Sequence, residues 1–382
     1  MVRTSLTVLF IAVLAGLTPP AMLAADAPAP KPADAPRIQV ALLLDTSKSM
    51  DGLINQARTQ LWKIVNEFAQ TKLGGKLATL EVALYEYGND NVPASEGHIR
   101  LVVPLTRDLD KVSQELFALK TLGGQEYCGQ VIDRATRALA WSNSDKDLKC
   151  IFIAGNEPFT QGTVDYQTSC KAAAAKGITV STIFCGDHQE GIRTKWEQGA
   201  KLADGTYLSI NQNAAVADIA APQDKDLAKL SAEMSTTYVP YGAGEIRREL
   251  ADRQKAQDAN AARSAAGAAA SRAAFKASGQ YRNTDWDLVD AVAEGKVKLE
   301  SVQAEQLPEA LRGMTLDQRK THLAEMAKKR ADLQSQIKKL AAARDQHVAA
   351  ERKKLAEQGA AAPSASFDAA VIRAVQEGAA KK

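Results

Sequence analysis

Residues 38–44, Ile-Gln-Val-Ala-Leu-Leu-Leu, form a nearly continuous apolar run of strand length that ends on Asp45. Such a run marks a strand buried on both faces, and a strand of that kind needs a covering layer on each side. A helix pattern follows, with Ile54, Ala57, Leu61, Ile64, Val65 and Phe68 on one face and Gly74-Gly75 ending it. The alternation then continues. Strands are expected over 80–87, 99–105, 150–154, 179–185 and 207–210, and helices over 109–119, 131–141, 166–176 and 192–203. Strand alternating with helix at this spacing predicts an α/β domain with a doubly wound, mostly parallel sheet. Ligands of such sheets bind beyond the carboxyl ends of the strands. The loop that starts at Asp45 falls there.

The flanking segments have a different texture. Arg3 precedes a short apolar run over 6–17, Pro19 and Pro20 break it, and small residues follow at Ala24 and Ala25. This pattern predicts a secretory signal peptide over 1–25, since a membrane-spanning helix needs about 20 apolar residues. The chain is therefore expected to be exported, to a periplasm or beyond the cell, with no membrane span after cleavage. Residues 26–37 read as a Pro/Ala-rich linker, 38–241 as the α/β domain, 242–358 as a helical region, and 359–382 as a linker with a short last helix over 367–376.

Within the helical region, 245–278 is alanine-rich and charged, a strong helix former with little to bury. A short amphipathic helix over 285–292 carries Trp286 as an anchor. The long helix over 316–355 keeps a 3–4 apolar rhythm through Leu323, Met326, Leu333, Ile337, Leu340, Val348 and Leu355. Arg330 and Arg344 interrupt that seam, so a helical hairpin and a self-associating coiled coil both remain open. The formal charge of +3 gives no argument for nucleic acid or an anionic membrane as partner.

Asp45-Thr46-Ser47-Lys48-Ser49 places one carboxylate and two hydroxyls at alternating positions after a buried strand. Together they make a hard oxygen set of low charge, suited to Mg2+ or Ca2+ with water completing the shell. In this arrangement the chain resembles the von Willebrand factor A family, whose metal-ion-dependent adhesion site (MIDAS) opens with Asp-x-Ser-x-Ser. The resemblance runs from about Arg37 to Ile210 and includes the closing Leu202-Ala203-Asp204-Gly205-Thr206-Tyr207. It implies a Rossmann-like domain that binds a protein through a metal site built from three loops.

Two of those loops depart from the family pattern. The second normally supplies a threonine, and here 123–129 reads Gly-Gly-Gln-Glu-Tyr-Cys-Gly, which puts Glu126 at that place. The third normally reads Asp-Gly, and here 154–158 reads Ala-Gly-Asn-Glu-Pro, with Asn156 and Glu157 as the nearest donors. The expected metal set is therefore Asp45, Ser47, Ser49, Glu126 and Asn156. A glutamate already in the shell would hinder the partner carboxylate that completes coordination in adhesive members. The whole chain also resembles a bacterial group in which an exported A-type domain precedes a helical tail. Residues 307–314, Leu-Pro-Glu-Ala-Leu-Arg-Gly-Met, match part of that tail.

In an exported protein cysteines can pair. Cys128 lies in the second site loop, Cys185 ends a strand on the same side, and Cys170 lies on a nearby helix, so a disulfide is expected among these three. Cys150 starts its strand at the opposite end and reads as a buried thiol, and the alternative is that all four are core thiols. No Gly-x-Ser-x-Gly elbow surrounds Ser47 or Ser49, and no Gly-x-x-x-x-Gly-Lys-Ser/Thr loop is present. His188 is the one histidine placed on the site side of the sheet. The reading is a non-enzymatic, exported protein-binding module with a variant metal site. The alternative is a structural envelope protein that acts through its helical tail, with a metal-free scaffold.

Overall fold

The computed structural model describes residues 35–213, 218–358 and 366–380. The expected signal peptide, the linker up to residue 34 and the linker 359–365 lie outside the described residues. The chain begins with β1 (Arg37–Asp45), α1 (Asp51–Gln70), a small hairpin of β2 (Lys72–Leu73) and β3 (Lys76–Leu77), then β4 (Thr79–Tyr87) and β5 (Ile99–Thr106). It continues through α2 (Leu109–Ala118), α3 (Cys128–Ala138), β6 (Leu148–Gly155), α4 (Tyr166–Ala175), β7 (Ile178–Phe184), α5 (His188–Arg193), α6 (Trp196–Lys201) and β8 (Tyr207–Ser209).

These strands form one sheet in the order β5-β4-β1-β6-β7-β8. β5 pairs antiparallel with β4 at one edge, and the other pairings are parallel. The central strand β1 is therefore flanked on both sides, as its apolar run requires. Side chains alternate between two cores because the strand period is two. Val40, Leu42, Phe152 and Ala154 face a core shared with α1 and α2. Leu43, Tyr85, Tyr87, Ile151 and Ile153 face a second core shared with α3, α4 and Trp196 of α6.

The helical region comprises α7 (Asp224–Ser235), α8 (Gly244–Ser264), α9 (Ala266–Lys276), α10 (Leu288–Ala293), α11 (Glu309–Arg312), α12 (Leu316–Glu357) and α13 (Phe367–Ala379). The expected helix over 192–203 is split by Lys195, whose φ is +78°. The one over 245–278 is split at Ala265, which is extended at φ −169°, ψ 155°. α7 has no counterpart among the expected elements.

The helical region does not stand apart from the sheet: its described residues belong to the same compact unit as the α/β domain. α9 packs against α1, α8 against α2, and α12 against α7 and α9. α13 lies beside α1, with Phe367, Ala370, Val371, Ala374 and Val375 buried in the same core as Leu148, Cys150 and Phe152. Glutamines of α1 hold its first turn. The backbone N–H of Phe367 donates to Gln56 Oε1 at 3.2 Å, that of Asp368 donates to Gln60 Oε1 at 2.9 Å, and Lys63 pairs with Asp368. The last helix of the chain thus covers part of a sheet formed some two hundred residues earlier.

Buried ion pairs fix the other contacts. Arg272 pairs with Asp110 of α2 at 2.6 Å and with Asp258 of α8 at 2.9 Å, and its guanidinium lies 4.3 Å from the Trp62 ring centroid. Arg330 pairs with Asp287 at 2.7 Å and Asp290 at 2.9 Å, and Arg344 pairs with Asp224 at 2.6 Å. Both seam arginines of α12 thus have partners within the same chain. Removing one member of such a pair leaves a buried charge without compensation. Arg272→Leu should therefore lower the unfolding free energy by about 3–5 kcal/mol, read from urea denaturation at neutral pH. A loss below about 1 kcal/mol would contradict this account of how the helices are anchored.

Candidate metal centre

β1 delivers Asp45 to the top of the sheet with its side chain fully buried. One carboxylate oxygen, Oδ1, accepts from the backbone N–H of Ser47 at 2.7 Å. The other, Oδ2, is buried and has no hydrogen-bond partner. Thr46 turns away from the site, with Oγ1 3.3 Å from Glu86 Oε2. Ser47 and Ser49 turn together, their hydroxyls 3.2 Å apart. Asn156, in the third loop, lies beside Ser49, with Nδ2 donating to Oγ at 3.3 Å.

The second loop is tied to the first by backbone polar groups. Leu122 N–H donates to Thr46 O at 3.0 Å, and Asn89 Nδ2 donates to Lys120 O at 2.7 Å and Thr46 Oγ1 at 3.1 Å. Glu126 N–H donates to Gln161 Oε1 at 2.6 Å, which ties the second loop to the third. Glycine permits this close approach. Gly88 has φ +74°, and a Cβ there would lie 2.9 Å from Glu126 Cγ and 3.0 Å from Asp45 Oδ1. A Cβ at Gly155 would lie 2.5 Å from Tyr87 Oη and 3.0 Å from Asp45 Oδ2.

The five residues expected from the sequence are therefore gathered from three loops around one carboxylate. Glu126 is buried beside Asp45, and Glu157 is half-buried at the rim. Burial pushes the Glu126 carboxyl up, Glu157 pushes it further, and hydrogen bonding from its own backbone, Ser47 and Gln161 pulls it partly back. Among the described residues no three His, Cys, Asp or Glu side chains are grouped to hold an ion by themselves. The donor set depends on the serine hydroxyls, which is the chemistry of a hard-cation site with few charges. Asp45 Oδ2, desolvated and unpartnered, fits such an ion.

The expected disulfide is not formed: Cys128, Cys170 and Cys185 are free and buried, and Cys150 is a buried core residue. Cys185 joins the core on the α1 face and Cys128 and Cys170 join the core on the α3 face, so the sheet separates the first from the other two. Cys128 Sγ lies 4.0 Å from Tyr87 Oη. Burial raises the thiol of Cys170 to about 12 and those of Cys128 and Cys185 well above their ordinary value. His188 does not reach the site serines; its Nδ1 lies 3.2 Å from Ser209 Oγ.

Gly88, Gly155, Asn89 and Gln161 were not singled out from the sequence. The Gly-Asn pair directly after β4 was an available turn signal for two of them. Gln212 was also missed. Its Nε2 donates to Ser49 O at 3.1 Å, and its Oε1 accepts from Leu53 N–H at 3.3 Å.

Residues 39–195 match the family model described as the von Willebrand factor type A domain. This part of the chain is a von Willebrand factor type A domain. Solved structures give distant likenesses. A conserved hypothetical protein BatB from Bacteroides thetaiotaomicron is 15% identical, with 58% of this chain and 98% of that chain covered at a TM-score of 0.35. The pilus adhesin SpaC from Lactobacillus rhamnosus GG is 15% identical, with 47% and 28% covered at 0.35. Proximal thread matrix protein 1 from the mussel byssus, described with a zinc-occupied MIDAS motif, is 10% identical, with 46% and 42% covered at 0.34. Thus the chain spans less than half the length of the last two. A comparison with curated proteins found no match. The von Willebrand factor A domain accounts for the three-loop site; the helical region lies outside the matched span.

The Asp45 carboxyl is pushed from 3.8 up to about 8, first by burial, with Glu126 and Glu157 adding to it and hydrogen bonds from Ser47 opposing. The folded chain therefore holds this proton more tightly than the unfolded one. Between the ordinary carboxylate range and about pH 8, stability of the ion-free protein should fall as pH rises. The slope from this group is at most about 1.4 kcal/mol per pH unit. Asp45→Asn should remove that component and be more stable than the parent near pH 8 in chelator. Parallel pH profiles for the two proteins in urea denaturation would refute it.

Proposed function

We propose that the chain is an exported protein-binding module whose von Willebrand factor A domain holds a divalent cation, Mg2+ or Ca2+, at the top of the sheet. The observation that carries this reading is Asp45 Oδ2, buried with no partner where two serine hydroxyls converge. A carboxylate in that state is costly unless a cation compensates it. Asp45, Ser47, Ser49, Glu126 and Asn156 would hold the ion, with hard oxygen donors throughout. When bound, it would supply a Lewis-acidic position for a partner group. The second loop is fixed to the first by the Leu122 N–H to Thr46 O bond and to the third by the Glu126 N–H to Gln161 Oε1 bond, which favours a preformed surface.

Export is supported by the N-terminal pattern of Arg3, the apolar run and the small residues at Ala24 and Ala25. The described residues contain no helix long and apolar enough to cross a membrane. The helical region acts as a buttress in this reading, since its buried faces pack on α1 and α2.

Binding to the folded state alone stabilises it by linkage, about 2.7 kcal/mol at a hundredfold excess over Kd. Addition of Ca2+ or Mg2+ to chelator-treated protein should therefore raise the melting temperature, and Asp45→Ala should abolish the rise. Identical melting curves with and without either ion would sink the metal reading.

A further inference from the structure

A cavity lies where the start of α2 meets the helical region, and it shares no residue with the candidate metal centre. Its volume is about 250 Å³. That suits a ligand smaller than the drug-sized ones that fill about 300–1,000 Å³. Leu109 of α2, Leu250 of α8, Tyr281 and Trp286 line one part of it. Leu109, Tyr281 and Trp286 are buried, so this part of the wall is largely apolar.

Two polar donors on the same wall are left over. The Arg253 side chain is 9% exposed, and its Nε is buried without a hydrogen-bond partner among the described residues. Asn283 Nδ2 is likewise buried and unpartnered. Other atoms of both residues are fixed. Arg253 Nη2 donates to Asp108 Oδ2 at 2.5 Å. The Asn283 backbone N–H donates to Asp290 Oδ2 at 2.9 Å, and its carbonyl accepts from Asp287 N–H at 2.7 Å. A buried donor without an acceptor is costly, so a ligand that delivers acceptor atoms here is favoured.

Charge narrows the ligand further. Four acids line the cavity, and each pairs with a different cation: Asp108 with Arg253, Asp110 with Arg272, Asp285 with Lys296, and Glu294 with Arg282. Arg107, exposed at the rim, has no ion-pair partner among the described residues. One negative charge would balance it, whereas a second would face the four carboxylates.

We propose that this cavity binds a small organic monocarboxylate, whose oxygens accept from Arg253 Nε and Asn283 Nδ2 and whose apolar part lies against Trp286 and Tyr281. The site does not depend on the metal reading. Its wall combines α2 with α8 and residues 280–286, so an occupied cavity would also fasten the helical region to the von Willebrand factor A domain.

Isothermal titration calorimetry on the full chain tests this, with benzoate and butyrate as probes, benzamide and butyramide as neutral controls, and inorganic phosphate as the more highly charged anion. At least one carboxylate should bind with a Kd below about 1 mM, and about tenfold or more tighter than its amide and than phosphate. Arg253→Lys keeps a charge for Asp108 but lacks Nε, and should weaken that binding about tenfold. Asn283→Asp replaces the donor with an acceptor and should reverse the preference, so that the amide binds more tightly than the carboxylate. Arg107→Gln, at an exposed position, serves if a buried variant fails to fold; it should lower the carboxylate affinity and leave that of the amide unchanged. No carboxylate binding up to about 10 mM overturns the proposal and leaves a cavity for water alone. Equal binding of the amide, or tighter binding of phosphate, also overturns it. Parent-like carboxylate affinity in folded Arg253→Lys and Asn283→Asp would put the binding elsewhere and overturn it as well.

Discussion

A parallel sheet that is apolar on both faces is unstable until both faces are covered, and the arrangement of this chain follows from how that is done. On the α3 face the cover comes from helices between consecutive strands, as the alternation requires. On the α1 face the connecting helices do not suffice for β6 and β7, and α13 supplies part of the layer from the far end of the sequence. Its first turn is capped by Gln56 and Gln60 of α1. Gln56 also donates to the carbonyls of Asn211 at 2.9 Å and Gln212 at 3.0 Å, in the loop after β8. One glutamine thus joins the start of α13 to the loop that supports Ser49.

The site is a consequence of the same layering. Because β1 is central, the residue at its carboxyl end is desolvated by neighbours on both sides, and Asp45 is that residue. Loops from β4 and β6 close over it at glycines, where no Cβ would fit. The result is a carboxylate with one satisfied and one unsatisfied oxygen, ringed by hydroxyls and two glutamates. Burial and like charge act in the same direction on it, which favours either a proton or a cation. That is a sounder basis for a metal reading than the motif alone.

Charge burial also anchors the helical region. Arg272, Arg330 and Arg344 are each buried against aspartates of other elements. Such pairs contribute little net stability over apolar packing but penalise any arrangement that separates them. They select one docking of α8, α9 and α12 from the many that alanine-rich surfaces would permit. The cation–π contacts of Arg272 with Trp62 and of Arg330 with Tyr238, at 4.3 and 4.1 Å, add the same kind of selectivity.

The sequence by itself determined the sheet class, the order of the six sheet strands and the helices between them apart from the split at Lys195, and the first loop of the site, because hydrophobic period and loop chemistry are local. The position of Glu126 came from the resemblance, which sets it where the family has a threonine. It was not possible to read the roles of Gly88, Gly155 and Gln161 in the same way, since each acts by approach to a residue distant in the chain. The seam arginines of α12 illustrate the difference. Along the helix they interrupt an apolar rhythm, and only the fold brings Asp224, Asp287 and Asp290 to meet them. The same holds for the cysteines, whose loop and strand positions suggested a disulfide until the sheet came between Cys185 and the other two. Local pattern fixes which face of an element is apolar; what covers that face, and which charges share a dry space, is decided by contacts that have no signature in sequence spacing.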